Sequence, residues 1–141
     1  MVLYNEEKVT SLSGELLQAC NRLDELARLD RDAFVSKPHL VASAKYHLIV
    51  ATEAAIDLAN HLISMNRWRS PEDYADTFTV LEEQGIFPSQ FVTRLKKMAR
   101  FRNRLIHIYW KIDDLQFHGI MQHDLGDIRK FLELYLAALR S

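Results

Sequence analysis

A single cysteine, Cys20, is all that this chain offers for cross-linking, so no internal disulfide can form and a reducing cytoplasm is the expected setting. Glycine and proline are also scarce, at four and three residues, which excludes collagen-like and low-complexity sequence and implies a highly ordered chain. No CxxC, HExxH or clustered histidine and carboxylate spacing of the kind a zinc site needs is present, so neither metal nor cofactor is expected. No uninterrupted apolar run approaches the roughly 20 residues of a membrane span, and the opening "MVLYNEEKVT" carries acid where a secretory signal would carry base. The expectation is a soluble protein with no membrane partner.

What remains is a chain of 141 residues, 48% apolar and 26% charged, enough to bury one sizeable core. Residues 1–141 therefore read as one domain. The net charge of −1 argues against a general nucleic-acid binder, but the charge is unevenly spread. Between Pro88 and Ile112 lie Arg94, Lys96, Lys97, Arg100, Arg102, Arg104 and Lys111, seven of the 18 basic residues, with no acidic residue among them. The remaining 11 basic residues face all 19 acidic ones, so the segment is +7 and the rest −8. Such a segment can attract a polyanion, because the local field is set by charges within a Debye length, about 8 Å in physiological salt.

Apolar residues recur at helical spacing throughout, and no alternating strand pattern is bounded by hairpin turns. The predicted fold is all-α: an antiparallel bundle of four longer helices plus a shorter one. The first helix starts at Asn5 as cap and runs to about Leu29, where "LDRDAF" breaks the pattern. Ser36 before "KPHL" opens the second, whose stripe of Val41, Ala44, Leu48, Ala51, Ala55, Leu58 and Leu62 reaches Met65. Only Lys45, Glu53 and Asp57 are charged between Leu40 and Met65, so this helix should be central. "SPEDY", with Ser70 as cap and Pro71 at the first helical position, begins a short third helix that Gly85 closes. "IFP" leads into the basic helix, and Asp113 caps a last one that ends near Arg140, with Gly119 and Gly126 as points where it could bend.

The basic helix carries the anomaly. At about 100° per residue, Phe91, Leu95, Met98, Arg102, Leu105, Tyr109 and Ile112 fall on one seam, placing an arginine inside an apolar stripe. Isolated burial of that charge is unfavourable by several kcal/mol, so Arg102 should meet a polar partner, a ligand or a symmetric neighbour. A second seam carries Lys96, Arg100, Asn103, His107 and Lys111 and is wholly polar. Arg102 and His107 point in different directions but lie only about 7.5 Å apart along the axis, a spacing that could flank a phosphate over Ile106. Histidine moves a proton near neutrality, and arginine grips phosphate oxygens with two parallel donors. The pair suits metal-free phosphodiester chemistry, with attack by a 2′-hydroxyl leaving a 2′,3′-cyclic phosphate. Against this, a basic helix face is ordinarily solvated and a lone histidine on it ordinarily a surface residue. Glu53 and Asp57, one turn apart with Asn60 nearby, could pair with Arg102 or Lys45, orient His107, or point to solvent. Trp68 and Trp110 could stack on bases, although packing at a rim is the commoner role. His39, His47, His118 and His123 read as surface or packing residues.

The string "RNRLIHIYW", in which Arg102, His107 and Tyr109 form R-x4-H-x-Y, resembles the signature of the HepT family of HEPN-domain ribonuclease toxins. "EAAIDLANHLIS" (Glu53 to Ser64) and "SPEDYADTFTVLEEQGIFP" (Ser70 to Pro88) also follow that family, and the resemblance covers about 100 residues. It implies the toxin of a type VII-like toxin–antitoxin pair: a metal-independent endoribonuclease whose active site lies at a homodimer interface. By position, Arg102 and His107 would be catalytic and Asn103 would take the variable polar place after the arginine. Lys96, Arg100, Arg104 and Lys111 would contact the RNA substrate. A cognate MntA-like nucleotidyltransferase antitoxin would silence the toxin by transferring AMP to Tyr109. The alternative is a non-catalytic helical adaptor of the same class, binding nucleotide or such a partner. A third reading is a plain helical homodimer whose seam residues are structural.

Overall fold

The side chain of Asn5 accepts from the Lys8 amide at 3.0 Å and starts helix α1, Glu6–Ala27, in the computed structural model, which describes all 141 residues. Glu6 and Glu7 in its first turn add favourable charge at the positive end of the helix dipole. Then follow α2, Arg31–Val35; α3, Pro38–Asn66; α4, Tyr74–Glu83; α5, Ser89–His107; a 3-10 turn, Tyr109–Lys111; and α6, Asp114–Arg140. There is no strand, and the longer helices are the four expected.

α3 is the axis of the bundle. It packs against α1, α4, α5 and α6, and every residue of its predicted stripe is buried. By length and composition α3 could cross a membrane, but 56% of its most apolar window is buried against the rest of the protein. Its one buried cation, Lys45, donates to Asp114 at 2.9 Å in the first turn of α6 and lies 4.4 Å from the centre of the Tyr109 ring. That contact ties three elements together. Between α4, α5 and α6, Phe131 meets Phe78 and Phe87 at centroid distances of 5.8 and 5.3 Å. Tyr135, fully buried, donates its hydroxyl to the Leu58 carbonyl at 2.8 Å, and burial holds the phenol's pKa above its ordinary value.

Four local expectations need correction. "LDRDAF" does not simply break: Asp30 caps the single-turn α2, and its Phe34 is fully buried. Ser36 is therefore not the cap of α3; it ends α2, its hydroxyl donating to Ala33 O at 2.8 Å, while Pro38 opens α3. Nor does α4 begin at Ser70 and Pro71. Asp73 caps it, accepting from the Asp76 amide at 2.7 Å, and Asp76 in turn holds the Glu72 amide at 2.8 Å and the guanidinium of Arg69 at 2.7 and 2.9 Å. These bonds keep residues 70–73 outside the helix. Finally, α6 runs without interruption through Gly119 and Gly126.

The chain leaves α3 through Arg67, whose left-handed φ of 56° turns it toward Arg69, and it leaves α4 through Gly85 at φ 77°. Arg69, then the Glu72 amide, hold the Asp76 carboxyl down at about 2. A depressed carboxyl stabilises the fold above its unfolded pKa near 4, and that contribution is lost as pH falls toward 2. Asp76→Asn should therefore lower stability at pH 7 by about 1 kcal/mol, discounted for the water around half-exposed Arg69. The deficit should shrink toward pH 2 in denaturant titrations run at both pH values.

Candidate functional site

The buried face of α5, from Phe91 and Leu95 through Met98 to Leu105, seats the helix on the core. Arg102 lies on that face, only 13% of its side chain exposed, and it is not isolated there. Its Nη2 donates to Glu53 Oε1 of α3 and its Nη1 donates to Asn103 Oδ1 at 2.9 Å, while Cζ stands 4.9 Å from the centre of the Tyr74 ring. The polar partner required by an arginine in an apolar stripe is thus Glu53, one of the roles left open for it. Each terminal nitrogen carries two hydrogens and commits one within the chain, so one on each is left for an anion. Nε is buried with no acceptor, a cost that a close-packed structural arginine would avoid.

Arg102, Asn103, Ile106 and His107 line one side of an open cleft of about 620 Å³. Asn60 of α3, then Pro71, Asp73, Tyr74 and Thr77 of the α4 region, make the opposite side. A smaller recess of about 240 Å³ adjoins it, where Glu53 and Asp57 meet Arg102 and Tyr74. Burial, and then the charge of Glu53, raise the pKa of Asp57 above the ordinary carboxyl range. Chemically, the cleft offers a guanidinium with spare donors, an imidazole, two amides, hydroxyls, an aromatic face and one carboxylate, that of Asp73, whose Oδ1 is occupied in capping α4. That set suits a phosphate flanked by a sugar and a base.

Not every predicted residue is there. α5 ends at His107, because Ile108 leaves helical geometry at φ −134° and ψ 41°. Tyr109 and Ile112 consequently do not continue the Arg102 seam: Ile112 is buried, and Tyr109, 41% exposed, lies against Lys45 and does not line the cleft. Lys96, Arg100, Arg104 and Lys111 lie outside the cleft as well; Arg104 folds over Phe101 at 5.6 Å. Trp68 packs on the core as expected, whereas Trp110 is 75% exposed and does not. His61 accepts from the Asn5 amide at 2.9 Å and so holds the start of α1 against α3. Sequence reasoning missed Tyr74, Thr77 and Pro71 as a wall. "SPEDY" reads as a helix start and as part of the family-like string, and nothing in its spacing brings it to Arg102.

Residues 16–135 match the family described as Ribonuclease HepT-like. The chain belongs to that family. The resemblance carried by "RNRLIHIYW" and its neighbouring strings is thereby borne out. Over 86 residues the chain is 33% identical to the mRNA nuclease HepT of Shewanella oneidensis; the match covers 60% of this chain and 64% of that one, a little under two thirds of the relative's length. A solved structure of the tri-AMPylated Shewanella oneidensis HEPN toxin in complex with MNT antitoxin is similar at a TM-score of 0.84 and 25% identity, over 94% of this chain and 98% of the other. The cytosolic protein of unknown function YutE from Bacillus subtilis, at a TM-score of 0.82 and 16% identity over 99% and 93% of the two chains, shares the fold. The family match and these structures agree with the all-α, HEPN-like bundle.

Proposed function

We propose that this protein is the toxin of a toxin–antitoxin pair, a metal-independent endoribonuclease with Arg102 and His107 as its catalytic residues. The observation that carries the reading is that Arg102, Asn103 and His107 line one cleft with Arg102 half-committed to Glu53 and still able to donate. In the proposed reaction His107 takes the proton of a 2′-hydroxyl, and the 2′-oxygen attacks the adjacent phosphorus. The bond to the 5′-oxygen breaks, the leaving oxygen takes a proton from solvent while His107 returns its own to solvent, and the products are a 2′,3′-cyclic phosphate and a 5′-hydroxyl. Arg102 stabilises the charge gathering on the phosphate oxygens, with Asn103 fixing its orientation. The cleft is open on one side, and Ile106, Tyr109 and Trp110 beside it are exposed, which supports a second copy of the chain completing the site. Lys96, Arg100, Arg104 and Lys111 would then draw RNA toward that surface without touching the scissile phosphate.

The test is incubation with total RNA in excess EDTA, followed by end-group analysis of the products. Cleavage leaving cyclic phosphate, absent in folded His107→Ala, is the expected result. No cleavage by protein of unmodified mass would favour the adaptor.

Silencing would come from AMP transfer to Tyr109 by a nucleotidyltransferase antitoxin, as the AMPylated relative suggests. Tyr109 is an exposed residue, as a target of a second protein must be. Because Tyr109 does not line the cleft, the transferred nucleotide would act from its rim, a bulky anion two residues from His107 competing for the basic surface. Tyr109→Phe should cleave RNA at close to the wild-type rate and gain no mass when incubated with antitoxin and ATP. Loss of cleavage in that variant would move Tyr109 into the catalytic machinery.

A further inference from the structure

We propose a binding site for a divalent transition-metal cation at His123, Asp124 and Asp127 on α6, separate from the cleft and independent of the ribonuclease reading. Asp127 lies four residues from His123 and three from Asp124, one helical turn from each, and one donor atom from each of the three lies within 4.8 Å of the others. They surround a second cavity, of about 390 Å³, that shares no lining residue with the cleft. What marks the cluster as a site is Asp124. It is only 8% exposed, lines the cavity, and its Oδ2 is buried with no donor from the protein. Leaving a buried carboxylate oxygen without a partner is costly, and the nearest strong cation is already engaged. Arg94 of α5 donates through Nη2 and Nε to Asp127 Oδ1, at 2.6 and 3.1 Å. Asp127, 4% exposed, is left with Oδ2 turned toward His123 Nδ1 at 3.6 Å.

The arrangement matches what a first-row divalent ion requires. One imidazole nitrogen and two carboxylate oxygens make a mixed donor set of the kind zinc, cobalt or manganese accept, with the remaining positions open to water. Arg94 would stand behind Asp127 as a hydrogen-bonded support, the usual place for a second layer around a metal ligand. Donors about 2.1 Å from a common ion lie no more than about 4.2 Å apart, so the cluster must close slightly. His123, with 70% of its side chain exposed, is free to rotate that far. Lys97 also lines the cavity and opposes a cation, so micromolar affinity is the expectation, weaker than that of a closed structural site.

The experiment is calorimetric titration of the full chain with ZnCl2, with Co2+ absorption as a readout of coordination and Tm as a readout of linkage. Wild type should bind one equivalent, give a cobalt spectrum with nitrogen and oxygen ligands, and rise in Tm by about 5 °C at saturating zinc. His123→Ala, a surface change that leaves the core intact, should weaken binding at least tenfold, and Asp124→Asn should do the same. Equal zinc binding by wild type and both variants, or no binding by wild type, would overturn the proposal. None of these readouts needs RNA cleavage, so the failure of one reading is distinguishable from the failure of the other.

Discussion

Arg102→Lys should cut the rate of RNA cleavage by about 10² to 10³-fold even though it keeps the positive charge, a loss typical of removing one donor aimed at developing anionic charge. Arg102 is held by Glu53 and Asn103 through separate nitrogens, with its plane near the Tyr74 ring, and it still has one hydrogen on each terminal nitrogen. Lysine carries a single ammonium on a flexible stem. It can keep the ion pair with Glu53 or reach the phosphate, and it cannot do both in a fixed plane. Stability should change by less than about 1 kcal/mol, because Glu53 is 43% exposed and regains water when its partner retreats. Single-turnover cleavage measured beside a melting curve separates the two effects. A lysine variant cutting at the wild-type rate would mean that charge alone suffices and that the two-pronged grip is wrong. If instead Arg102 were purely structural, the variant would lose stability before it lost activity.

The part of this site that was legible in the sequence is the part that lies on one helix. Arg102, Asn103 and His107 are within six residues of each other, so helical geometry alone brings them close, and the arginine shows as an intruder because its neighbours at four and three residues are apolar. Asn5 and Asp113 were legible as caps for a similar reason: a short polar side chain meets an amide two or three residues on. The opposite wall was not legible. Tyr74 reaches Arg102 only because α4 packs against α5 and α3, a tertiary fact with no local signal. Tyr109 was misplaced because the pattern of apolar residues runs on past His107 while the backbone does not. Lys45 shows what captures that turn: its ammonium sits between the Tyr109 ring and Asp114. Likewise Ser70 and Pro71 are good start signals that lost to Asp73, because Arg69 and Glu72 both converge on Asp76 and hold the preceding loop open. His123 carries no signal in the sequence beyond that of a surface histidine, because the buried, unpartnered oxygen of Asp124 beside it is a product of packing.

Phe131→Ala is the core substitution expected to do most damage, about 3 to 5 kcal/mol, because it combines lost burial with a cavity that its rigid neighbours cannot refill. Phe131 is fully buried and meets three rings: Phe78 edge-on at 5.8 Å, Phe87 at 5.3 Å and Tyr135 at 5.5 Å. Those rings come from α4, from the connection before α5, and from α6 itself, so one side chain braces three parts of the chain. At the 2 to 8 °C per kcal/mol expected across domains of this size range, Tm should fall by about 10 °C or more. The consequence for function follows from where Phe78 sits. It is the residue after Thr77 and one turn from Tyr74, both of which line the cleft with Arg102, Tyr74 in contact with its guanidinium. Loosening Phe78 therefore loosens the wall opposite the guanidinium, and a displacement of about 1 Å there is enough to cost roughly 10²-fold in rate. Phe131→Ala should accordingly lose cleavage at temperatures where its circular dichroism is still that of a folded bundle, whereas Phe131→Leu, which fills most of the volume, should keep both. Parallel loss of helix and activity in the alanine variant would show instead that α4 is held by the Arg69, Asp76 and Glu83 ion pairs and does not depend on this aromatic contact.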